Sequence, residues 1–227
     1  SQGKLKQALD NFTIVVASFP ETDSVGQALL EIGRYRLEVE GDLEKARAAF
    51  EQVTKEHARS DAAPGAYYHL GLLTLTRAAS LAEVEDALAQ FTRVETLYPR
   101  SPWVPRALHG VAMAHRRAGR YTEAADLDRR VSLEYPASDA AAAAQFEIGH
   151  ALALQGEARQ AMEEYQQVRN RFPQSEWAQP ALERITTLYR LFGLVEVVPD
   201  ARGRVLRGLG RGRRVGKLWK KLIAAAV

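Results

Sequence analysis

The chain has 227 residues, 46% of them apolar and 26% charged, with a formal net charge of +3. This length allows one or two domains, and the apolar content excludes wholesale disorder. No apolar run approaches the ~20 residues of a membrane-spanning helix, and the lack of cysteine excludes disulfides, thiolate metal sites and thiol nucleophiles.

Helical periodicity predicts ten helices in chain order, over 4–18, 23–40, 43–57, 61–77, 82–97, 102–117, 120–134, 138–154, 157–171 and 176–191. An aromatic-proline pair closes the first, fifth, seventh and ninth: Phe19-Pro20, Tyr98-Pro99, Tyr135-Pro136 and Phe172-Pro173. His57-Ala58, closing the third, is a degenerate copy. The steps between these marks are 38, 41, 37 and 37 residues. The longer step reflects an insertion around residues 77–83, expected to lengthen one helix–helix turn.

Other residues keep register with the marks. Valine stands five before each, at Val15, Val53, Val94, Val131 and Val168. Alanine stands twelve before, at Ala8, Ala46, Ala87, Ala124 and Ala161. Phe12, Phe50, Phe91 and Tyr165 share an aromatic column that Asp128 interrupts. A hydroxyl follows each mark, at Thr22, Ser60, Ser101, Ser138 and Ser175, and reads as the N-cap of the next helix. Gly41, Gly119 and Gly156 mark tight turns before the second helix of a pair. Proline ends the preceding helix because it lacks an N–H and restricts the residue before it.

These residues resemble the tetratricopeptide repeat, whose pattern runs L-G, then A-x3-F, then P. Ile32-Gly33, Leu70-Gly71, Val111-Ala112 and Ile148-Gly149 occupy the L-G place, and Ala46/Phe50 or Ala87/Phe91 the A-x3-F place. The first-helix tryptophan is replaced by Leu29, Tyr67, Leu108, Gln145 and Leu182. The resemblance covers roughly residues 4–191 and implies an all-α, right-handed superhelical solenoid of four to five antiparallel helix pairs. The wording Y-P-x-S with a following alanine is similar to a bacterial cell-envelope subset, of the type of the Tol–Pal coordinator and the outer-membrane β-barrel assembly lipoprotein. That subset implies a periplasmic or outer-membrane setting. The chain opens on a second-type helix and closes on apolar Leu-Ile-Ala-Ala-Ala-Val, so it is expected to be part of a longer protein.

Catalytic and metal motifs are lacking, so neither enzyme activity nor a cofactor is expected. His57, His69, His109, His115 and His150 are scattered over the repeats without ligand spacing and read as repeat-surface residues. The run over 210–218, G-R-G-R-R-V-G-K-L, fails as a phosphate-binding loop because Leu218 stands where Ser or Thr must hold the metal.

In the resemblance, first helices line a concave groove that takes a peptide or protein partner. This implies a binding role for Arg34, Tyr68, Arg106, His109, Met113, Arg116, Phe146, His150 and Arg190. Arginines suit an acidic partner or a free carboxylate, and aromatic and Met side chains suit apolar ones. Phe146 also reads as inter-helix core.

The charge divides sharply along the chain. Residues 201–227 hold nine basic residues and no acidic one, whereas the first 200 carry a net charge of −6. The division therefore places the repeat domain at 1–193 and a basic Gly/Arg-rich segment at 194–227. In that segment Val215, Leu218, Trp219 and Leu222 follow helical spacing, with Arg211, Arg213, Arg214, Lys217, Lys220 and Lys221 around them. It reads as a short amphipathic helix or the start of a next domain, and alternatively as an adaptor for nucleic acid or an anionic membrane. A third reading makes the repeats the regulatory arm of an enzyme domain.

Overall fold

The structure is a computed structural model that describes residues 2–20, 22, 24–192, 198–199 and 205–206. Ten α-helices account for nearly all of the described residues. They form the antiparallel pairs of an all-α repeat. The chain divides into two compact units, Ser1–Leu127 and Asp128–Val227.

Unit 1 holds α1 (Gln2–Ser18), α2 (Ser24–Tyr35), α3 (Leu43–Glu56), α4 (Ala63–Arg77), α5 (Leu81–Leu97), α6 (Val104–Arg117) and the first half of α7 (Tyr121–Glu134). A π-helical turn, Arg36–Glu40, extends α2 and carries an Arg36–Glu40 ion pair. The valine, alanine and aromatic columns form the core: Ala46, Phe50, Val53, Ala87, Phe91 and Val94 are fully buried. Phe91 shows why small residues recur at and beside the L-G place. A Cβ on Gly71 of α4 or Gly110 of α6 would come within 2.6 or 2.5 Å of its ring, so glycine lets both helices close on the phenyl group. Burying such a side chain contributes about 1.5–3 kcal/mol.

Unit 2 holds the rest of α7, α8 (Ala140–Gln155), α9 (Ala158–Arg171) and α10 (Ala178–Phe192). Its core gathers Phe146, Ala161, Tyr165, Val168, Ala181, Ile185 and Leu188. Val198–Pro199 and Val205–Leu206 pair as two-residue antiparallel strands β1 and β2. The amphipathic helix expected near 215–222, with Arg211, Arg213, Arg214, Lys217, Trp219, Lys220 and Lys221, lies outside the described residues.

Two local expectations are corrected. In the hydroxyl column Ser101 accepts the Trp103 N–H just ahead of α6, at 3.2 Å, but the other members do not cap the following helices. Ser60, Ser138 and Ser175 instead donate from Oγ to the carbonyl three residues back, at 2.7, 2.8 and 2.8 Å. Their backbone carbonyls then accept from the N–H three residues on. Each of these three serines thus ties two successive turns into a short linker, and the helix begins later, at Ala63, Ala140 or Ala178. A short polar side chain can bond backward to its own turn as readily as forward to a helix start, and here the turn wins. Nor does the insertion lengthen a turn. It lengthens α5, which has 17 residues where α3, α7 and α9 have 14. Ser80 and Glu83 close its first turn as a reciprocal capping box. The backbone N–H groups of Ala79 and Ser80, with the Ser80 hydroxyl, donate to the Glu83 carboxylate and hold its pKa below the usual range.

The turn glycines behave as expected. Gly41, Gly119 and Gly156 have φ of 68°, 77° and 90°, the left-handed conformation that ends the first helix of three of the pairs.

Candidate partner-binding site

In unit 1 the first helices α2, α4 and α6 carry six of the expected residues, and Arg34, Tyr68 and Arg106 surround His69. Arg106, His109, Met113 and Arg116 recur at three- and four-residue intervals along α6, which puts them on one face of that helix. All four are half-buried. The guanidinium of Arg106 lies 4.7 Å from the ring centroid of Trp103. Trp103 in turn lies 5.5 Å from Tyr68 of α4. Tyr68 and Met113 pack against the core cluster built on Phe91. On α2, Arg34 is held by Glu31 at 3.2 Å and Glu38 at 3.5 Å. The region therefore joins packed aromatic rings to the Arg106 guanidinium, while the charge of Arg34 is shared with two carboxylates.

His69 sits at its centre and corrects the surface reading of that histidine. It is only 7% exposed. Its ring stacks on Phe50 at 4.9 Å with an interplanar angle of 10°. Tyr68 and Trp103 approach it edge-on at 5.3 and 5.6 Å. Neither ring nitrogen has a hydrogen-bond partner. Burial first, and then the charges of Arg34 and Arg106, pull its pKa down to about 4, so the imidazole is neutral at pH 7. A sequence reader sees only one histidine on a helix. Its aromatic neighbours come from α3, α4 and the linker leading into α6, and no spacing reveals that convergence.

Unit 2 separates the remaining expected residues. Phe146 belongs to the core and not to an open groove: it is 6% exposed, with Tyr165 at 5.1 Å and Trp177 at 4.9 Å. Its apolar ring gains more between helices than in water. His150 is half-buried and its Nδ1 faces Glu147 at 3.5 Å. Arg190 is exposed near the end of α10. The hydroxyl of Tyr165 is buried without a hydrogen-bond partner, and burial pushes its pKa up.

A polar cluster in unit 2 has no signature in the sequence. Ser132 donates to Gln145 Oε1 at 2.7 Å, and Gln145 Nε2 donates to the Glu164 carboxylate. Arg171 spans the pair, donating to Gln145 Oε1 at 3.0 Å, Ser132 Oγ at 3.2 Å and the Ser132 carbonyl at 3.1 Å. Asp128, at the break in the aromatic column, is also buried. Among the described residues, no three His, Asp or Glu side chains converge as a metal site, and no helix is long and apolar enough to cross a membrane.

Two family models described as tetratricopeptide repeat match this chain, one over residues 27–60 and 143–175, the other over 76–138. A search of curated protein sequences gave no match. Among solved structures, the chain is similar to a thermophilic TPR protein of Thermus thermophilus, with 15% identity, 82% of this chain and 92% of that chain covered, and a TM-score of 0.62. It is also similar to TPR-like repeats from Podosopora anserina, with 19% identity, coverage of 77% and 89%, and a TM-score of 0.57. MamA aligns over 83% of this chain and 93% of its own, at 17% identity and a TM-score of 0.50. The structural likenesses establish the fold, and the matched repeats span more than half of the residues. The chain belongs to the tetratricopeptide repeat family.

Proposed function

We propose that the first-helix face of unit 1 binds an acidic segment of a protein partner, and that the protein works by holding that partner, with no chemistry of its own. Tetratricopeptide repeats generally mediate protein–protein interaction, and a stack of helix pairs leaves long surfaces free of its own core. The observation that carries the finer reading is the cluster of Arg34, Tyr68, Arg106 and Trp103 around His69. Guanidinium groups suit carboxylates, and the half-buried rings and Met113 suit apolar side chains between them. The Y-P-x-S wording of the linkers supports a bacterial envelope setting for this role.

The test uses a random peptide display library as the probe. The full chain is expected to enrich peptides rich in Asp and Glu, and Arg106→Glu/Arg116→Glu, with its helical content intact, is expected to lose that enrichment. Enrichment without acidic bias, or the same peptides captured by both proteins, would overturn the proposal.

A further inference from the structure

His69 is a titratable group held in the core without a hydrogen bond. Its residue is 7% exposed and neither ring nitrogen has a partner, whereas buried polar groups of a fold normally have one. Ring packing holds it instead. Phe50 of α3 stacks on it at 4.9 Å, and Tyr68 of α4 and Trp103 stand edge-on at 5.3 and 5.6 Å. A neutral imidazole carries one N–H, and a protonated one carries two and a full charge. In this cage the second N–H would find no acceptor, and a buried charge without a partner is costly.

The surrounding charges add to that cost. Arg34 of α2 and Arg106 of α6 act on the imidazole, and both are positive. Arg34 shares its charge with Glu31 on α2 and Glu38 in the π-helical turn. Arg47, one turn before Phe50 on α3, donates to Thr74 Oγ1 at 3.5 Å. On α4 the titratable neighbour is Tyr68, and the linker into α6 contributes Trp103, which does not titrate. Burial first, then the two guanidinium groups, pull the pKa of His69 down to about 4.

The caged ring also supports the first-helix face. Trp103 packs on His69 and on Tyr68, and lies 4.7 Å from the Arg106 guanidinium. A displaced Trp103 therefore unseats both Tyr68 and Arg106.

We propose that His69 is an acid-sensitive latch on this face: neutral, it lets Phe50, Tyr68 and Trp103 close around it, and on taking up a proton it drives those rings apart and releases the acidic partner. The release step rests on the first-helix reading; the opening of the rings does not. The direction is fixed by linkage. An opened ring regains its ordinary proton affinity, so acid favours the open form as pH falls from 6.5 toward 4. A partner carboxylate docked against the ring would act the other way, favouring the proton and tightening the complex in acid.

The test follows the full chain from pH 7.5 to 4.5 in two arms. By NMR without any partner, the Trp103 indole N–H should move in step with the His69 imidazole while the amides of α8 and α9 keep their positions. In His69→Phe, which keeps a stacking ring and cannot take a proton, the indole should stay still. The second arm measures binding of a peptide of alternating cysteic acid and leucine, whose sulfonates stay ionised throughout. Its affinity for the parent should fall by about threefold or more between pH 7.5 and 4.5, relative to His69→Phe. The other histidines are common to both proteins, so the difference isolates His69. A Trp103 signal that stays still in the parent, or moves equally in His69→Phe, would overturn the latch. Equal pH dependence of affinity in the two proteins, or tighter binding by the parent in acid, would overturn the release. Failure of the peptide to bind at pH 7.5 would overturn the first-helix reading and the release with it, while the Trp103 signal still decides the latch.

Discussion

Unit 1 and unit 2 follow one repeat register yet satisfy it with different chemistry. In unit 1 the seams are aromatic. Phe50 stacks on His69, Phe91 is clasped by two glycines, and Tyr67 packs beside Tyr98. In unit 2 one seam keeps this character, with Phe146, Tyr165 and Trp177 in contact, while another is a hydrogen-bond network through Ser132, Gln145, Glu164 and Arg171. The difference teaches that the valine and alanine columns set the spacing between helices. The larger positions can then be filled by a ring or by a hydrogen-bonded polar network.

The comparison can be broken at its strongest point first. Phe91→Ala should cost about 3–5 kcal/mol, because glycines on both sides leave no side chain to collapse into the space. Urea denaturation would measure it, and a loss below about 1 kcal/mol would show that the aromatic seam is not what holds α4, α5 and α6 together.

His69 gives the next largest effect and a direction in pH. Its pKa in the fold, about 4, lies below its ordinary 6.5, so the unfolded chain takes up this proton first as pH falls. The contribution is complete above pH 6.5 and is lost as pH drops toward 4, by about 3 kcal/mol in all. Urea midpoints at several pH values should therefore fall more steeply for the parent chain than for His69→Phe. Equal slopes would mean that the imidazole is not buried in its neutral form.

On the polar side, Arg171→Met should cost about 2 kcal/mol, since hydrogen bonds from a charged donor to Gln145 and Ser132 are lost. A neutral result would make the network a passenger. Tyr165→Phe should have the smallest effect and the opposite sign, a gain of about 1 kcal/mol or less, because the hydroxyl removed has no partner. A clear loss of stability would reveal a hydrogen bond to that hydroxyl.

The repeat was legible because its signals are local and recur. The prolines, the turn glycines and the valine and alanine columns each report a backbone or packing need that every pair repeats. Errors arose where one residue type serves two environments. A serine after Tyr-Pro suits a helix cap or a turn clasp, and Ser138 became a clasp. A histidine beside a tyrosine suits surface or core, and the rings of Phe50, Tyr68 and Trp103 decided it for His69. The polar network was beyond sequence reading, since Ser132 and Arg171 lie 39 residues apart and share no motif. For the proposed binding face, the register pointed to Arg34, Tyr68 and Arg106, whereas Trp103, which links the last two, shares its place only with Trp177 and stands in none of the five columns.

The central claim is that the cationic, aromatic first-helix face of unit 1 grips an acidic partner. Calorimetric titration of an Asp/Glu-rich peptide selected by the full chain tests it most directly, with the parent protein set against Arg106→Glu/Arg116→Glu. The account predicts at least a tenfold loss of affinity in the variant, with its melting temperature little changed. Equal affinities would contradict it.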